Sequence, residues 1–302
     1  MRGAHWAAGA AAVLTIAGCG SSAAAGGGAQ AASASHSASA SGRASGASPA
    51  ASTRASATAQ PPAPEVIVSR FRAADGSLVT LARFTGPVRF RLHSGSADPG
   101  SAALSVVQAG PSIRSRERSR LLAAFNGGFL LSTGAGGFEQ ERHVIVPLRG
   151  GLASLVIDRS GAGHVGVWGS GLPQPGEAVY SVRQNLQPLV RHGHPTPAAA
   201  DWPVWGATLG GGEYVARSAL GQTSAGDLIY AGSISTSPAD QAAALVHAGA
   251  RTAMELDINP EWVQLDVARA AGHILRAAIP GQSRPANQYL VGWTRDFITV
   301  LG

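Results

Sequence analysis

The sequence predicts an α+β domain, a single unit built on a mixed or antiparallel sheet with few helices. Three observations carry this. Short apolar or alternating runs outnumber helical patterns over roughly the last 240 of the 302 residues. Many of these runs flank Gly/Ser/Asp turns, as hairpin strands do. Helical stretches do not alternate with strands, which argues against a doubly wound sheet.

The elements follow in order. Val66-Ile67-Val68 opens a strand, and Val88 to His93 alternates apolar and polar with the period of a half-buried one. Ser105-Val106-Val107 is a short strand candidate. Arg114 to Arg120 reads as a charged helix with a solvated face. Leu121 to Phe125 is a buried run that stops at Asn126-Gly127-Gly128-Phe129. Leu152–Ile157 and Val165–Trp168 flank Asp158-Arg159-Ser160-Gly161 as a hairpin, and Arg217–Leu220 and Asp227–Tyr230 flank a Ser/Gly turn in the same way. One helix is well signed: Ser237 caps it, Pro238 suits its first position, Asp240 completes an S-x-x-D box, and Gly249 suits its end. Thr252 to Leu256 returns as a strand, and Tyr289 to Val300 closes the chain as one or two more.

The first 64 residues are of another kind. Residues 1–18 carry Arg2 and an apolar run of about a dozen residues, short for a membrane span and suited to a signal peptide. It ends Ile16-Ala17-Gly18-Cys19, which resembles a bacterial lipobox, so lipidation is expected at Cys19, the sole cysteine. Residues 20–64 are almost entirely Ala, Ser, Gly, Thr and Pro. Such a segment buries too little apolar surface to offset its ordering entropy, and as a coil it would span about 35–40 Å. The expected organisation is therefore a lipoprotein signal peptide (1–18), a lipidated cysteine with a tether (19–64) and one domain (65–302), held outside the cytoplasm on the membrane surface.

Composition excludes several classes. The net charge is +6, but Arg2, Arg43 and Arg54 lie in the first 64 residues with no acid, which leaves +3 for the domain and no case for nucleic acid. Lysine is absent, which removes a Walker A loop and any lysine nucleophile. One cysteine allows neither an internal disulfide nor a thiolate zinc site. G-x-S-x-G is missing from the domain, and so is H-E-x-x-H; His192-Gly193-His194 sits in a Gly/Pro loop and reads as plain loop. No cofactor is implied. An oxygen-ligated metal such as calcium stays open, because acids from distant loops leave no spacing signature.

The stretch Met254-Glu255-Leu256-Asp257-Ile258-Asn259-Pro260-Glu261-Trp262 concentrates chemistry at the end of a strand. Asn259 can cap a helix with Pro260 at its first position, which puts Glu261 in the first turn. There the helix dipole favours a carboxylate whether or not it has another task. Asp257 can cap the turn or face a ligand.

Four segments in order resemble the phosphodiester glycosidase family, the uncovering-enzyme-like, phosphodiester N-acetylglucosaminidase domain: AAFNGGF (123–129), RQNLQPLV (183–190), RSALG (217–221) and AMELD (253–257). Many family members continue Leu-Asp with a glycine-rich turn and a serine; this chain continues with Ile258-Asn259-Pro260-Glu261-Trp262. The resemblance implies hydrolysis of a sugar-1-phosphodiester, with a carboxylate at the anomeric carbon and arginine on the phosphate. Asp257 is the expected catalytic carboxylate, with Glu261 or Glu139 as its partner and Glu141 as a rival. Arg217, then Arg183, is expected on phosphate. Asn126 would bind sugar hydroxyls, with Gly127 and Gly128 letting backbone approach the ligand, and Trp262 or Trp205 would stack on a sugar face. The expected ligand is a carbohydrate phosphodiester or an anionic glycan. An anchored binding module on the same fold, or a scaffold without a small ligand, is the alternative.

Overall fold

The computed structural model describes residues 63–206, 211–269 and 274–302. Three sheets make up the domain. The first has the order β1 (Glu65–Arg72), β2 (Leu78–Thr85), β14 (Leu228–Thr236), β13 (Val215–Thr223), β15 (Ala250–Glu255), β11 (Pro188–Arg191), β12 (His194–Pro195). The second runs β6 (His143–Val146), β5 (Phe138–Gln140), β10 (Val179–Gln184), β7 (Ala153–Asp158), β8 (Gly163–Trp168), β9 (Gly171–Leu172). The third runs β17 (Ile274–Ala277), β16 (Leu265–Arg269), β4 (Leu121–Asn126), β18 (Phe297–Leu301), β3 (Arg89–His93). Strand pairs are antiparallel except β8 with β9.

One core joins the sheets. Phe84 of the first, Phe138 and Ile157 of the second, and Phe125 and Ile298 of the third are buried in a single cluster. Phe84 stacks on Phe125 at 5.7 Å. Each such side chain contributes about 1.5–3 kcal/mol by leaving water, so this junction is the main source of stability. The opposite face of the first sheet is covered by the helix Pro238–His247, whose Ala242 and Leu245 pack on Ile229 and Ala219. Ser237 Oγ accepts the Asp240 amide at 3.0 Å, and Gly249 ends the helix at φ +94°. That is the capping the sequence signals.

The balance differs from the α+β expectation. The domain is β-rich, and among the described residues only Pro238–His247 is an α-helix longer than four residues. Ser105–Val107 is a turn after the short helix Ser101–Leu104, not a strand. Arg114–Arg120 holds one helical turn, Ser115–Arg118, whose Glu117 turns inward to pair with Arg91. Tyr289 begins no strand; it lies in the helical turn Gln288–Val291, and only β18 closes the chain. At Ser105–Val107 and near Tyr289 a short apolar run serves packing between elements, which constrains burial but not backbone conformation. The signal peptide, Cys19 and the tether through Pro62 lie outside the described residues.

Candidate active site

The ends of β4, β10 and β15 and a central stretch of β13 meet the segment that leads into β18. Register brings them there: Asn126 faces Phe297 across β4–β18, and Glu255 faces Ala219 across β15–β13. Pairing with β13 continues past the end of β15. Leu256 N donates to Ser218 O at 2.7 Å, and Ser218 N donates to Asp257 O at 2.8 Å. Asp257 is thereby held by backbone at the base of a cavity of about 430 Å³, together with Arg295. Phe129, Leu186 and Ile258 give it apolar walls, and Thr133 and Asn259 supply polar groups.

Asp257 Oδ2 pairs with Arg295 Nη2 at 2.8 Å, and its Oδ1 accepts the Asn259 amide at 2.9 Å. The carboxyl is only 3% exposed. Burial pushes its pKa up to about 6, although Arg295 and the turn amides pull it down. Desolvation outweighs the ion pair because the cavity wall is apolar and Arg295 is shared. Arg295 Nη2 also donates to Gly128 O at 2.8 Å. Arg295 Nε is buried without a hydrogen-bond partner, and Nη1 has none among the described residues. The guanidinium lies 5.2 Å over the Trp262 ring. Spare donors beside a carboxyl of raised pKa, under a concave apolar wall, form a site suited to an oxyanion.

Behind Arg295 lies a second pair. Asp296 accepts from Arg183 Nε at 2.8 Å, and both side chains are at most 1% exposed. Arg183 also donates to Gln184 O and Phe129 O. Asp98 faces the same guanidiniums of Arg183 and Arg295. Burial raises its pKa, and its Oδ2 accepts the Leu131 amide at 3.1 Å, which fixes the loop on one side of the cavity.

The expected site residues separate into three groups. Asp257 opens on the cavity. Asn126 stands next to it but is sealed: it donates to Ser218 Oγ (2.9 Å) and Gly127 O (2.8 Å) and accepts from Tyr230 OH (2.9 Å) and Gln264 N (3.1 Å). Its amide is saturated inside the protein, so it binds the sheets to one another. Gly127 and Gly128 do permit close approach, but by protein groups. A Cβ on Gly127 would sit 1.9 Å from Asp296 Oδ2, and one on Gly128 would sit 2.8 Å from the Arg183 guanidinium. Arg183 is consumed by Asp296.

The remaining residues point elsewhere. Arg217 is fully buried and bound to Glu255 Oε1 at 2.7 Å and Thr236 O at 3.1 Å, so a ligand would have to break that pair to reach it. The reason is strand alternation: Ser218 faces Asn126 and the Asp257 amide, which sends its neighbour Arg217 to the other face. Burial raises the Glu255 pKa against the pull of Arg217. Glu261 is exposed and pairs with Arg284 at 3.0 Å; residues 260–262 form a turn, not a helix, in which Asn259 Oδ1 accepts the Glu261 amide at 2.9 Å. Glu139 lies on β5, where burial raises its pKa, and it does not line the cavity. Glu141 accepts from Arg91 and from the Gln108 and Ala109 amides. Trp262 lies within cation–π distance of Arg295 and Arg284, packs edge-on against Trp293 and does not line the cavity. Trp205 is fully buried and donates to Ala198 O at 2.7 Å.

Sequence reasoning passes over Arg295, Asp296, Ser218 and Asp98. The signal for the first two was available: adjacent opposite charges immediately precede Phe297–Leu301, apolar but for Thr299, in a chain with few charges. No group of three or more His, Cys, Asp or Glu able to hold a metal occurs among the described residues.

No protein-family model matches the chain, and no curated protein does. Solved structures do. The catalytic domain of zebrafish N-acetylglucosamine-1-phosphodiester alpha-N-acetylglucosaminidase, auto-inhibited by its pro-peptide, aligns over 80% of this chain and 83% of its own, with a TM-score of 0.50 and 15% identity. A hypothetical protein from Synechocystis aligns over 79% of this chain and 64% of its own (TM-score 0.46, 13% identity). A putative exported protein from Burkholderia pseudomallei aligns over 79% and 57% (TM-score 0.27, 15% identity). The first likeness shows a shared fold, that of a phosphodiester-glycosidase catalytic domain.

Proposed function

We propose that this chain is a lipid-anchored extracytoplasmic hydrolase that cleaves a glycosyl phosphodiester of envelope or exopolysaccharide material. The observation that supports this most is the pairing of Asp257 with Arg295 on the floor of one cavity. Arg295, rather than Arg217, takes the phosphate, through the Nη1 donors that the protein leaves unused. Asp257 in its ionised form then meets positive charge developing at the anomeric carbon, as stabiliser or nucleophile. The phosphate is a good leaving group and needs little acid assistance. Phe129, Leu186 and Ile258 make the wall apolar, which strengthens both electrostatic contacts, and a water entering through the open mouth replaces the departing phosphate at the anomeric carbon and gives up its proton to solvent.

The full chain incubated with a panel of sugar-1-phosphate alkyl esters should release free reducing sugar. The rate should rise with pH through about 6 as Asp257 ionises. Asp257→Asn should lower kcat by about 100-fold or more, and Arg295→Gln should chiefly raise KM. Activity unchanged in Asp257→Asn would overturn the assignment. The anchor has its own test: Cys19→Ser should move the protein from the detergent-rich to the aqueous phase, and an unchanged partition would remove the lipid from the proposal.

One observation favours a second reading, an anionic-glycan-binding lipoprotein without turnover. Asp257 is the one carboxylate lining the cavity among the described residues. Saturable binding of the same esters, with no release of sugar from any of them, would select that reading.

A further inference from the structure

A second cavity, of about 440 Å³, lies away from Asp257, where β3 of the third sheet meets β7 and β10 of the second. Four arginines line it, Arg89, Arg91, Arg120 and Arg159, against two carboxylates, Glu141 and Asp158. Both carboxylates are committed. Glu141 accepts from Arg91 and from two backbone amides. Asp158 accepts the Ser160 amide and hydroxyl at 2.7 Å and the Ala162 amide at 2.9 Å, which closes the β7–β8 turn. Arg91 is shared between Glu141 and Glu117. Two of the other cations are unspent: Arg89 and Arg159 make no side-chain hydrogen bond or ion pair among the described residues; the third, Arg120, donates Nε to Gly302 O at 2.7 Å and keeps its other donors.

Their spacing is fixed by the backbone. Phe90 N donates to Gly161 O at 2.7 Å, which docks the β7–β8 turn on the start of β3. The approach depends on glycine: Gly161 has φ +91°, and a Cβ there would lie 2.9 Å from Arg89 Cβ. Like charges on neighbouring elements repel, and solvation alone would favour spreading them. Here the fold holds them around one concavity.

We propose that this cavity is a binding site for phosphate groups, separate from the Asp257 cavity. Arg89, Arg159 and the remaining donors of Arg120 together suit a multiply charged phosphate ion or successive phosphates of a polymer, each with two free oxygens and one charge, whereas a lone carboxylate would engage only one of them. The phosphate comes from free inorganic anion or from a phosphodiester-linked polymer. The site does not depend on hydrolysis at Asp257.

Calorimetry on the full chain decides this, with inorganic pyrophosphate in one arm and a synthetic glycerol-phosphate oligomer in the other. Either ligand should bind, and Arg89→Ala/Arg159→Ala should weaken binding by about tenfold or more. Arg70→Ala/Arg276→Ala removes the same charge from exposed positions elsewhere and should leave affinity within about twofold. Binding of pyrophosphate assigns the site to free anion, and binding of the oligomer alone assigns it to polymer. Binding of neither overturns the proposal, as does equal loss in both double variants or equal affinity for an oligogalacturonate. Asp257→Asn should bind both ligands as the parent chain does, so this result and the hydrolysis assay fail or succeed separately.

Discussion

Arg217 and Arg295 each hold a carboxylate of the segment 255–257, and their surroundings give them opposite uses. Arg217 is sealed with Glu255 on the face of the first sheet that carries the helix. Removing one partner of a buried pair leaves the other charged and unsolvated, at a cost of about 3–5 kcal/mol. Arg217→Met should therefore lower Tm sharply, and Arg217→Met/Glu255→Leu should recover most of the loss in the same thermal scan. Arg295 keeps donors to spare at an open cavity, so its loss should appear in ligand affinity more than in stability. Local sequence carries no such distinction: both are arginines beside small or polar residues, and only the parity of side chains along β13 sends one inward and away. The position of Asp257 was legible, because an acid directly after an apolar strand caps the turn or faces open space, and here it does both.

At the scale of elements, the turn Asn126-Gly127-Gly128 is a packing device. Its glycines receive Asp296 and Arg183 where side chains would stand. Gly127→Ala forces the buried pair apart. It should destabilise by about 1–3 kcal/mol or more in urea unfolding, even though the residue touches no ligand. A variant as stable as the parent would contradict the contact. The hairpins β7–β8 and β13–β14 and the helix Pro238–His247 were legible, since alternation, turn residues and caps all act within a few positions. The strands β5, β6, β16 and β17 were not: each is three to five residues long, and although β5–β6 and β16–β17 are local pairs, β5 and β16 are held in their sheets by distant partners, β10 and β4. The same holds for the predicted helix at Pro260: Asn259 does accept a local amide, but Trp262 must meet Trp293, and the chain turns instead.

At the scale of the molecule, the third sheet buries a carboxyl without a cation. Asp266 of β16 is met by the amide nitrogens of Gln264 and Gln282, and burial pushes its pKa up to about 7. A folded pKa above the unfolded value of about 3.9 means that the folded state holds its proton more tightly. Its contribution is therefore complete below about pH 4 and is lost as pH rises through 7. Stability should fall by about 2–4 kcal/mol between pH 4 and pH 8 from this group. Asp266→Asn should flatten that dependence in denaturant titrations, and an unchanged slope would assign it to other groups. The joining of three sheets through one core could not be inferred from composition, because every strand is apolar on its inner side whichever sheet it enters.

Arg295, on the floor of the cavity, and Asp296 behind it stand directly before β18, while Asp98 and Asn126 come from the first half of the domain. A nascent chain could shape its hairpins as they emerge from the ribosome, yet it would have nothing to offer a substrate until that late segment was laid against β4. The cavity of an unfinished copy would lack its arginine, so ligand binding beside Asp257 would arrive all at once with the last strand.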